Sequence, residues 1–316
     1  MKYMMQWFLV AATVVMLTFS IGCGKKPVEK VTIKVAYAPI ADAAQVYVAM
    51  DKGYFAEQGI EIELEQLASG AQILEAVGSG SVEIGLSSYV PLVLAQAGGV
   101  PLQAITGGPV EDRTHPEHAI LVKKSSTIKT VADLVGKNIA LNGRRNIDHM
   151  ILQELLEKNG LKEDDVRIVE VPFPRMETVL DSGGVDAACV IEPFVTRAVE
   201  HGNMRVLINN FVAVHDRIPI ACYVARADWI GKNRDLVDRF RTAFKKATDL
   251  CLATPEETKP IIAKYAKLSD DEIRTIGLPT FAPDTNVRDL QELIDRMLKR
   301  KLITQTMNAR DLVYGP

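Results

Sequence analysis

Two adjacent arginines, Arg144 and Arg145, lie in residues 140–149, which join a predicted strand to a predicted helix. A guanidinium group binds a carboxylate, phosphate or sulfonate through two parallel hydrogen bonds, so the pair predicts recognition of an acidic or acceptor-rich group. Asn142 and Asn146 add amide groups to the same segment. A solvated basic turn is the alternative, and we expect at most one of the two arginines to face a ligand.

Serine and glycine residues stand at the starts of two other predicted helices. Ser69 and Gly70 precede one of them, and Ser87 and Ser88 precede the other. The N–H groups at a helix start are free and carry partial positive charge, so they bind acceptor-rich groups without a basic side chain. The alternative is that Ser69 and Ser88 only cap their helices.

Five further candidates follow predicted strands. Tyr37, Pro39 and Asp42 come after the first strand, although Asp42 is equally suited to capping the next helix. Arg175 and Glu192 come after two later strands. Glu192 is predicted either to accept a hydrogen bond from a ligand amine or to have a structural role beside a hinge.

The residue types that enzymes need do not form a recognisable set. The five histidines have no metal-binding spacing, and there is no nucleophile elbow and no phosphate-binding loop, so we predict neither catalysis, nor a metal, nor a cofactor. His115 and His118 are interpreted as exposed loop histidines. Cys189, Cys222 and Cys251 are predicted to be buried free thiols, with a bridge between Cys189 and Cys222 as the alternative.

Short strand-like runs and helical patterns alternate along most of the chain and must position these residues. The first alternation occupies residues 31–108, and a second occupies residues 137–208. Strand and helix in rotation predict a parallel α/β sheet covered on both faces, with ligands at the carboxyl ends of its strands. Residues 232–316 read as mainly helical.

Three segments resemble a family of solute-binding proteins. Residues 53–62 (GYFAEQGIEI), residues 76–85 (AVGSGSVEIG) and residues 185–194 (VDAACVIEPF) are similar to segments of the receptors of importers for nitrate, sulfonates, taurine and thiamine precursors. Glu83 departs from the pattern, in which aspartate is commoner. The similarity covers most of the chain after residue 31.

The resemblance implies a two-lobed periplasmic-binding-protein-like fold of type II, with two hinge strands and a ligand cleft between the lobes. Residues 31–118 with 226–316 would form lobe one, and residues 119–225, including the hinge strands, would form lobe two. Residues 119–123 and 218–225 are predicted to be the two crossings between the lobes. In relatives, the segment equivalent to residues 140–149 carries ligand contacts.

The function that this resemblance implies is capture of a small organic or anionic solute by lobe closure. The partners would be a permease and its ATPase, and the receptor would be a monomer. A ligand sensor that signals through a separate partner is the alternative from another class. An enzyme similar to the synthases of the thiamine pyrimidine is disfavoured, because their cysteine-rich motif does not occur here.

The N-terminus has the features of a bacterial lipoprotein signal peptide. Residues 7–21 are apolar but short for a membrane span, and Gly22 precedes Cys23 and a polar stretch. We therefore predict that residues 1–22 are cleaved and that Cys23 is acylated, with residues 23–30 as a tether outside the cytoplasmic membrane. An ordinary signal peptide is the alternative. The net charge of −3 disfavours a nucleic-acid partner.

Overall fold

The structure, a computed structural model, describes residues 30–267 and 269–315. The predicted signal peptide and Cys23 lie outside the described residues. Among the described helices, none combines the length and the apolar character needed to cross a membrane.

Thirteen strands and thirteen α-helices occur in the described residues. The strands are β1 (Val31–Tyr37), β2 (Ile60–Gln66), β3 (Ile84–Ser88), β4 (Leu102–Ala104), β5 (Pro109–Asp112), β6 (His118–Lys123), β7 (Asn138–Leu141), β8 (Arg167–Glu170), β9 (Ala187–Ile191), β10 (Met204–Ile208), β11 (Arg217–Pro219), β12 (Ala221–Arg226) and β13 (Thr280–Phe281). The helices are α1 (Ala44–Asp51), α2 (Tyr54–Glu57), α3 (Gly70–Ser79), α4 (Tyr89–Ala97), α5 (Ile147–Lys158), α6 (Phe173–Ser182), α7 (Phe194–Glu200), α8 (Asn210–Val214), α9 (Ala227–Lys232), α10 (Arg234–Ala253), α11 (Pro255–Ala266), α12 (Asp270–Thr275) and α13 (Val287–Lys299).

The first sheet has the strand order β2-β1-β3-β12-β4. β1 is parallel to β2 and β3, as the alternation of strands and helices predicted, whereas β12 is antiparallel to β3 and β4. The C-terminal helices α10 and α11 pack against α1 beside this sheet. A large apolar core joins these elements and contains the buried rings of Tyr47, Tyr223, Phe240 and Phe244.

The second sheet has the order β10-β6-β9-β7-β8. Successive side chains of a strand point to opposite faces, and β6 follows this rule. Ala119 and Leu121 belong to the apolar core on one face, whereas Ile120 and Val122 belong to the core on the other. The second sheet is therefore covered on both faces.

The chain passes between the two sheets differently from our prediction. We expected residues 119–123 and 218–225 to be the two crossings between the lobes, but β6 lies within the second sheet and β12 lies within the first. The strands that pair between them are β5 and β11, which form a small third sheet with β13. Because the first five residues of β12 are apolar and buried, it can occupy the interior of a sheet instead of an exposed crossing.

One other local expectation is corrected. The helical pattern of residues 43–58 predicts a single helix, but the structure has α1 and α2, separated at Gly53, which adopts a left-handed conformation with φ of 72°. Such a residue ends a helix without steric cost only when it has no side chain. The prediction for the cysteines is confirmed: the three cysteines of the described residues are buried free thiols, and Cys189 and Cys222 are not bridged.

Gly108 lies where two backbone segments approach closely, just before β5. A Cβ atom at this position would lie 2.5 Å from the carbonyl oxygen of Ala221. We expect Gly108→Ala to lower the free energy of unfolding by about 1–3 kcal/mol, because backbone atoms must shift. Urea unfolding measures this change. Gly231→Ala, in α9 with no atom within 4 Å of the added Cβ, is the control and should not destabilise.

Candidate ligand-binding cleft

A cavity of about 500 Å³ lies between the two sheets and is lined by residues of both. This volume is in the range of pockets that bind small molecules. Its walls are mainly apolar, and the elements on both sides of the cavity contribute aliphatic side chains. The principal apolar lining residues are Ile40, Ile73, Leu74, Leu86, Pro91, Leu94, Ile147, Phe173, Ile191 and Ile220.

Three helix N-termini surround the cavity. Ser69 and Gly70 begin α3, Ser88 precedes α4, and Asn146 caps α5. The Ser69 hydroxyl accepts a hydrogen bond from the N–H of Gln72 at 3.4 Å, so this serine is a cap that also lines the cavity. The first N–H groups of a helix have no intrahelical partner, and they are available to an acceptor-rich ligand.

The starts of two antiparallel strands reach the same edge as the ends of the parallel strands. Ala221 begins β12 and lies opposite Ser88, the last residue of β3, while His118 begins β6 and lies opposite Ile191, the last residue of β9. Ala221, Ser88, His118 and Ile191 all line the cavity. The two antiparallel strands thus add residues from their N-terminal ends to the cleft.

Arg144 and Arg145 both line the cavity, but their surroundings differ. The Arg144 guanidinium donates to the carboxylate of Glu163 at 3.0 Å and lies 3.7 Å from a carboxylate oxygen of Glu170. The Arg145 guanidinium is exposed and has neither a hydrogen bond nor an ion pair with any residue that the structure describes. Arg145 is therefore the arginine available to a ligand in this arrangement.

The backbone of Arg145 adopts the left-handed conformation, with φ of 59°. Residues with a side chain rarely occupy this region, and the strain is often found at functional sites. The Arg145 N–H donates to Nδ1 of His149 at 3.1 Å, and the Asn146 amide donates to the Asn142 side chain at 2.7 Å. These bonds hold the loop before α5 in one conformation.

Nine of the thirteen predicted ligand residues line this cavity: Asp42, Ser69, Gly70, Ser87, Ser88, Asn142, Arg144, Arg145 and Asn146. Four do not. Pro39 is half-buried between two lining residues, and Tyr37 packs edge-on against Tyr47. Arg175 is exposed in the first turn of α6. Whether any of the thirteen residues binds a ligand stays a prediction.

Glu192, the fourth residue, is buried behind the cleft. Its carboxylate accepts hydrogen bonds from the N–H of Thr196 at 3.1 Å and from the Thr196 hydroxyl at 2.9 Å. Its backbone carbonyl accepts from the N–H of Ala41 at 3.1 Å, which links the two halves of the molecule. This position agrees with the structural alternative that we gave for Glu192 above.

Six buried titratable residues form a group beneath the cavity, which we call the acid cluster. All have exposed fractions of 8% or less, and three of them also line the cavity. The members of the acid cluster are Asp42, Glu111, Glu117, His118, Asp148 and Glu192.

His118 is the centre of the acid cluster. Its Nδ1 lies 2.5 Å from a carboxylate oxygen of Glu111, and its Nε2 lies 3.8 Å from Oδ1 of Asp148. The ring stacks on Phe211 with 3.8 Å between ring centroids. Burial lowers the pKa of His118, but the Glu111 carboxylate opposes this effect, and the resulting pKa is above its usual value.

Burial is the main cause of the raised pKa values of four acids of the cluster, Asp42, Glu117, Asp148 and Glu192. It raises the pKa of Asp42 to about 6, against the opposing effect of His118, and that of Glu192 to about 7. The pKa of Glu117 lies well above its usual value, through burial and then through the nearby Asp42. The cluster therefore exchanges protons near neutral pH.

The structure corrects our interpretation of His118 as an exposed loop residue, since its exposed fraction is 2%. His118, Asp148 and Phe173 line the cavity but were not among the predicted site residues. The sequence signal for His118 was its place directly before an apolar strand. The predicted ligand contacts were confined to the carboxyl ends of strands and the starts of helices, whereas an antiparallel strand brings its first residue to that edge.

Residues 40–258 match the family described as NMT1/THI5 like. The chain is 25% identical over 272 residues to a putative aliphatic sulfonates-binding protein of Escherichia coli, which covers 81% of this chain and 80% of the relative. It is 29% identical over 244 residues to the taurine-binding periplasmic protein of the same species, covering 76% of this chain and 74% of the relative.

Two further similarities are informative. A 4-amino-5-hydroxymethyl-2-methylpyrimidine phosphate synthase of Saccharomyces cerevisiae is 25% identical over 247 residues, covering 72% of this chain and 68% of the enzyme. The solved structure of the alkanesulfonate-binding protein SsuA from Xanthomonas axonopodis pv. citri, bound to MOPS, superimposes with a TM-score of 0.76. It has 20% identity and covers 91% of this chain and 99% of SsuA.

Proposed function

We propose a function for this protein from one premise: the chain belongs to the NMT1/THI5 like family. Its fold is that of periplasmic binding proteins, as the resemblance implied. We propose that it is an extracytoplasmic solute-binding receptor of an ABC importer. The names of its bacterial relatives, which refer to binding of aliphatic sulfonates and taurine, support this proposal.

The observation that carries the proposal is the cavity between the two sheets. Its apolar walls, three helix N-termini and one unpaired arginine suit a small solute with an acceptor-rich group. A solute that contacts both sheets favours the closed arrangement of the lobes, because only differential affinity can drive closure. Delivery of the closed, loaded receptor to a permease and its ATPase completes the proposed role.

Catalysis is less well supported by the geometry. An acyl-transfer site needs a nucleophile bonded to its base. The cavity serines Ser69, Ser87 and Ser88 are not hydrogen-bonded to His118, which is bonded to Glu111 instead, among the residues described. The yeast synthase is 25% identical, as is the aliphatic sulfonates-binding relative, so identity does not decide between the two functions and the geometry does. We therefore propose a receptor, and turnover of a bound solute would overturn this proposal.

The central experiment is a thermal-shift screen of the mature protein. Alkanesulfonates, taurine, nitrate, aromatic acids and aminopyrimidines would be tested one at a time. A true solute should raise the unfolding temperature with a dependence on its concentration, since binding stabilises only the folded state. X-ray scattering with that solute should show a smaller radius of gyration. If no solute both stabilises and compacts the protein, the receptor proposal fails.

Arg145→Ala is expected to weaken solute binding by roughly 1.5–3 kcal/mol, the magnitude of a hydrogen bond to a charged group. Arg144→Ala is the matched control, because the Arg144 guanidinium is already engaged by Glu163. Calorimetry with a solute from the screen measures both variants. Equal losses in the two variants, or unchanged affinity for Arg145→Ala, would contradict the assignment of Arg145 to the ligand.

The proposed attachment to the membrane rests on Cys23 and the preceding apolar segment. Cleavage before Cys23 and acylation would place the receptor on the outer face of the cytoplasmic membrane. We expect the intact mass of the protein from bacterial membranes to equal that of residues 23–316 plus its acyl groups. Cys23→Ser should release the protein into the soluble fraction. An unmodified Cys23 thiol in the native protein would contradict this prediction.

A further inference from the structure

Two carboxyl groups of the acid cluster face the cavity without a basic partner at hydrogen-bonding distance among the described residues. Asp42 follows β1 in a short 3₁₀-helix, Ala41–Ala43, and Asp148 lies in the first turn of α5. Their exposed fractions are 2% and 4%, both line the cavity, and Oδ1 of each has no N–H or hydroxyl partner in the described chain. Of the residues that the structure describes, the Asp42 carboxyl has only the Glu117 carboxyl beside it, with which it can share a proton. A buried carboxylate oxygen without a partner is costly, and it normally indicates a missing ligand, ion or water.

The charges around these two residues do not balance. The acid cluster contains five carboxyl groups and one group that can be positive, His118. His118 is hydrogen-bonded to Glu111 on its Nδ1 side, and its Nε2 remains 3.8 Å from Asp148, beyond hydrogen-bonding distance. The ion pairs recorded within the cluster involve no lysine or arginine of the described chain. The floor of the cleft therefore has more acidic groups than basic ones, and it gains negative charge as the pH rises through the raised pKa values of Asp42 and Glu192.

A metal ion is one way to neutralise such a cluster, and Glu111, Glu117 and His118 are close enough to suggest it. The distances disfavour this reading. Nδ1 of His118 lies 2.5 Å from Glu111, whereas two ligands at about 2.0–2.2 Å from a tetrahedral Zn²⁺ lie more than about 3 Å apart. The 2.5 Å separation is that of a hydrogen bond. This bond occupies Nδ1 of His118, the nitrogen with which His118 would bind the metal.

We propose that the solute carries a protonated nitrogen that binds between Asp42 and Asp148, so that the receptor takes a cationic or zwitterionic solute and not a simple anion. This proposal rests on the proposed receptor function. The acceptor-rich end of a zwitterion would lie at the helix N-termini and Arg145, and its nitrogen would lie at the floor of the cleft.

The positions of the two aspartates also make closure selective. Asp42 belongs to the half of the molecule that contains the first sheet, whereas Asp148 belongs to the half that contains the second. Closing an empty cleft brings two like charges together, which is unfavourable, and a positive nitrogen between them reverses the sign of this interaction. A solute without that nitrogen does not offset the repulsion between the two aspartates, so the same pair disfavours closure around it.

The first test needs no knowledge of the solute. Thermal unfolding of the empty protein would be measured at about pH 8 for Asp42→Asn and Asp148→Asn. We expect each variant to unfold about 2–5 °C above the wild type, because a buried charge without a partner is removed. Glu272→Gln is the comparison, since Glu272 is also a buried acid, with an exposed fraction of 6%, but its carboxylate is paired with Arg197 at 2.5 Å. It should unfold below the wild type. Losses in both aspartate variants similar to that of Glu272→Gln would overturn the proposal.

The second test compares probes that differ only in the nitrogen. Taurine is paired with ethanesulfonate, and benzamidine is paired with benzamide. We expect the protonated member of a pair that binds to bind at least about 10-fold more tightly, and Asp42→Asn to remove this preference. If the nitrogen-free member binds as tightly as its partner, the proposal fails while the receptor function stands. Where no probe binds, the unfolding temperatures of Asp42→Asn and Asp148→Asn decide whether the proposal stands.

The third test addresses the metal alternative. Protein treated with EDTA and then dialysed would be titrated with ZnCl₂ alone in the thermal-shift assay. We expect no change in the unfolding temperature at equimolar Zn²⁺. A rise that His118→Ala abolishes would overturn the proposal, because the acid cluster would then be a metal site.

Discussion

Replacing His118 by alanine is expected to lower the free energy of unfolding by about 3–5 kcal/mol, the cost of removing one partner from a buried ion pair. The substitution removes the hydrogen bond between the His118 ring and the completely buried Glu111, which keeps only the bond from the backbone N–H of residue 118 at 3.4 Å, and it removes the ring that stacks on Phe211. It also removes the single positive charge of the acid cluster. Urea unfolding followed by circular dichroism measures the change.

The matched control is His201→Ala. His201 also pairs with a glutamate, Glu177, at 2.7 Å, but its side chain is 58% exposed. Exposed pairs contribute little, so we expect a loss of about 0.5 kcal/mol or less. If the two alanine variants lose similar stability, the His118–Glu111 pair does not hold the cluster together as we describe.

The unfolding temperature of the empty protein is expected to fall as the pH rises from about 5 to about 8. In the unfolded chain, Glu192 loses its proton near its usual pKa of 4.5, whereas in the folded protein it keeps the proton to about pH 7. The folded state binds more protons between these values, so raising the pH favours unfolding. For Glu192 alone, the free energy of unfolding falls by about 3 kcal/mol once the pH has passed through both of these pKa values.

Other titrating groups either act in the same direction or lie outside this pH window. The pKa of Asp42, raised by burial to about 6, and the raised pKa of His118 both add to the loss as the pH rises. Acids with lowered pKa values, such as Glu157, which accepts a hydrogen bond from Arg300, titrate at lower pH.

Glu192→Gln isolates the contribution of Glu192, because glutamine resembles the protonated acid in shape and charge. We expect the variant to lose about half or less of the wild-type pH dependence between about pH 5 and 8, measured by differential scanning calorimetry. At about pH 8 it should unfold at a higher temperature than the wild type. A variant with the full wild-type slope would show that Glu192 is already ionised in the folded protein.

Local sequence patterns predicted much of the fold. The sequence patterns predict strands over residues 31–37, 60–66 and 187–191 and helices over residues 194–200 and 234–253. β1, β2, β9, α7 and α10 have these bounds, because each combines a clear hydrophobic period with a turn signal at its ends. The serines before α3 and α4 were found for the same reason, since a helix start is recognisable from a few residues.

The features that were missed depend on residues far apart in the chain. β12 reads as an apolar run, and the run itself does not contain the information that its neighbours are β3 and β4. The acid cluster is hidden for a related reason. Asp42, Glu111 and Asp148 are charged residues that sequence patterns place on surfaces, and they become buried only when elements from both sheets meet.

The insertion of β12 between β3 and β4 determines the order in which the two sheets can be completed during folding. More than a hundred residues separate β4 from β12, and the whole second sheet lies in that interval. During synthesis or export, the second sheet is complete once residue 208 has emerged, while the first sheet still has a vacant central position. A nascent chain that stops before Ala221 therefore exposes the unpaired edges of β3 and β4, which are targets for chaperones and for aggregation.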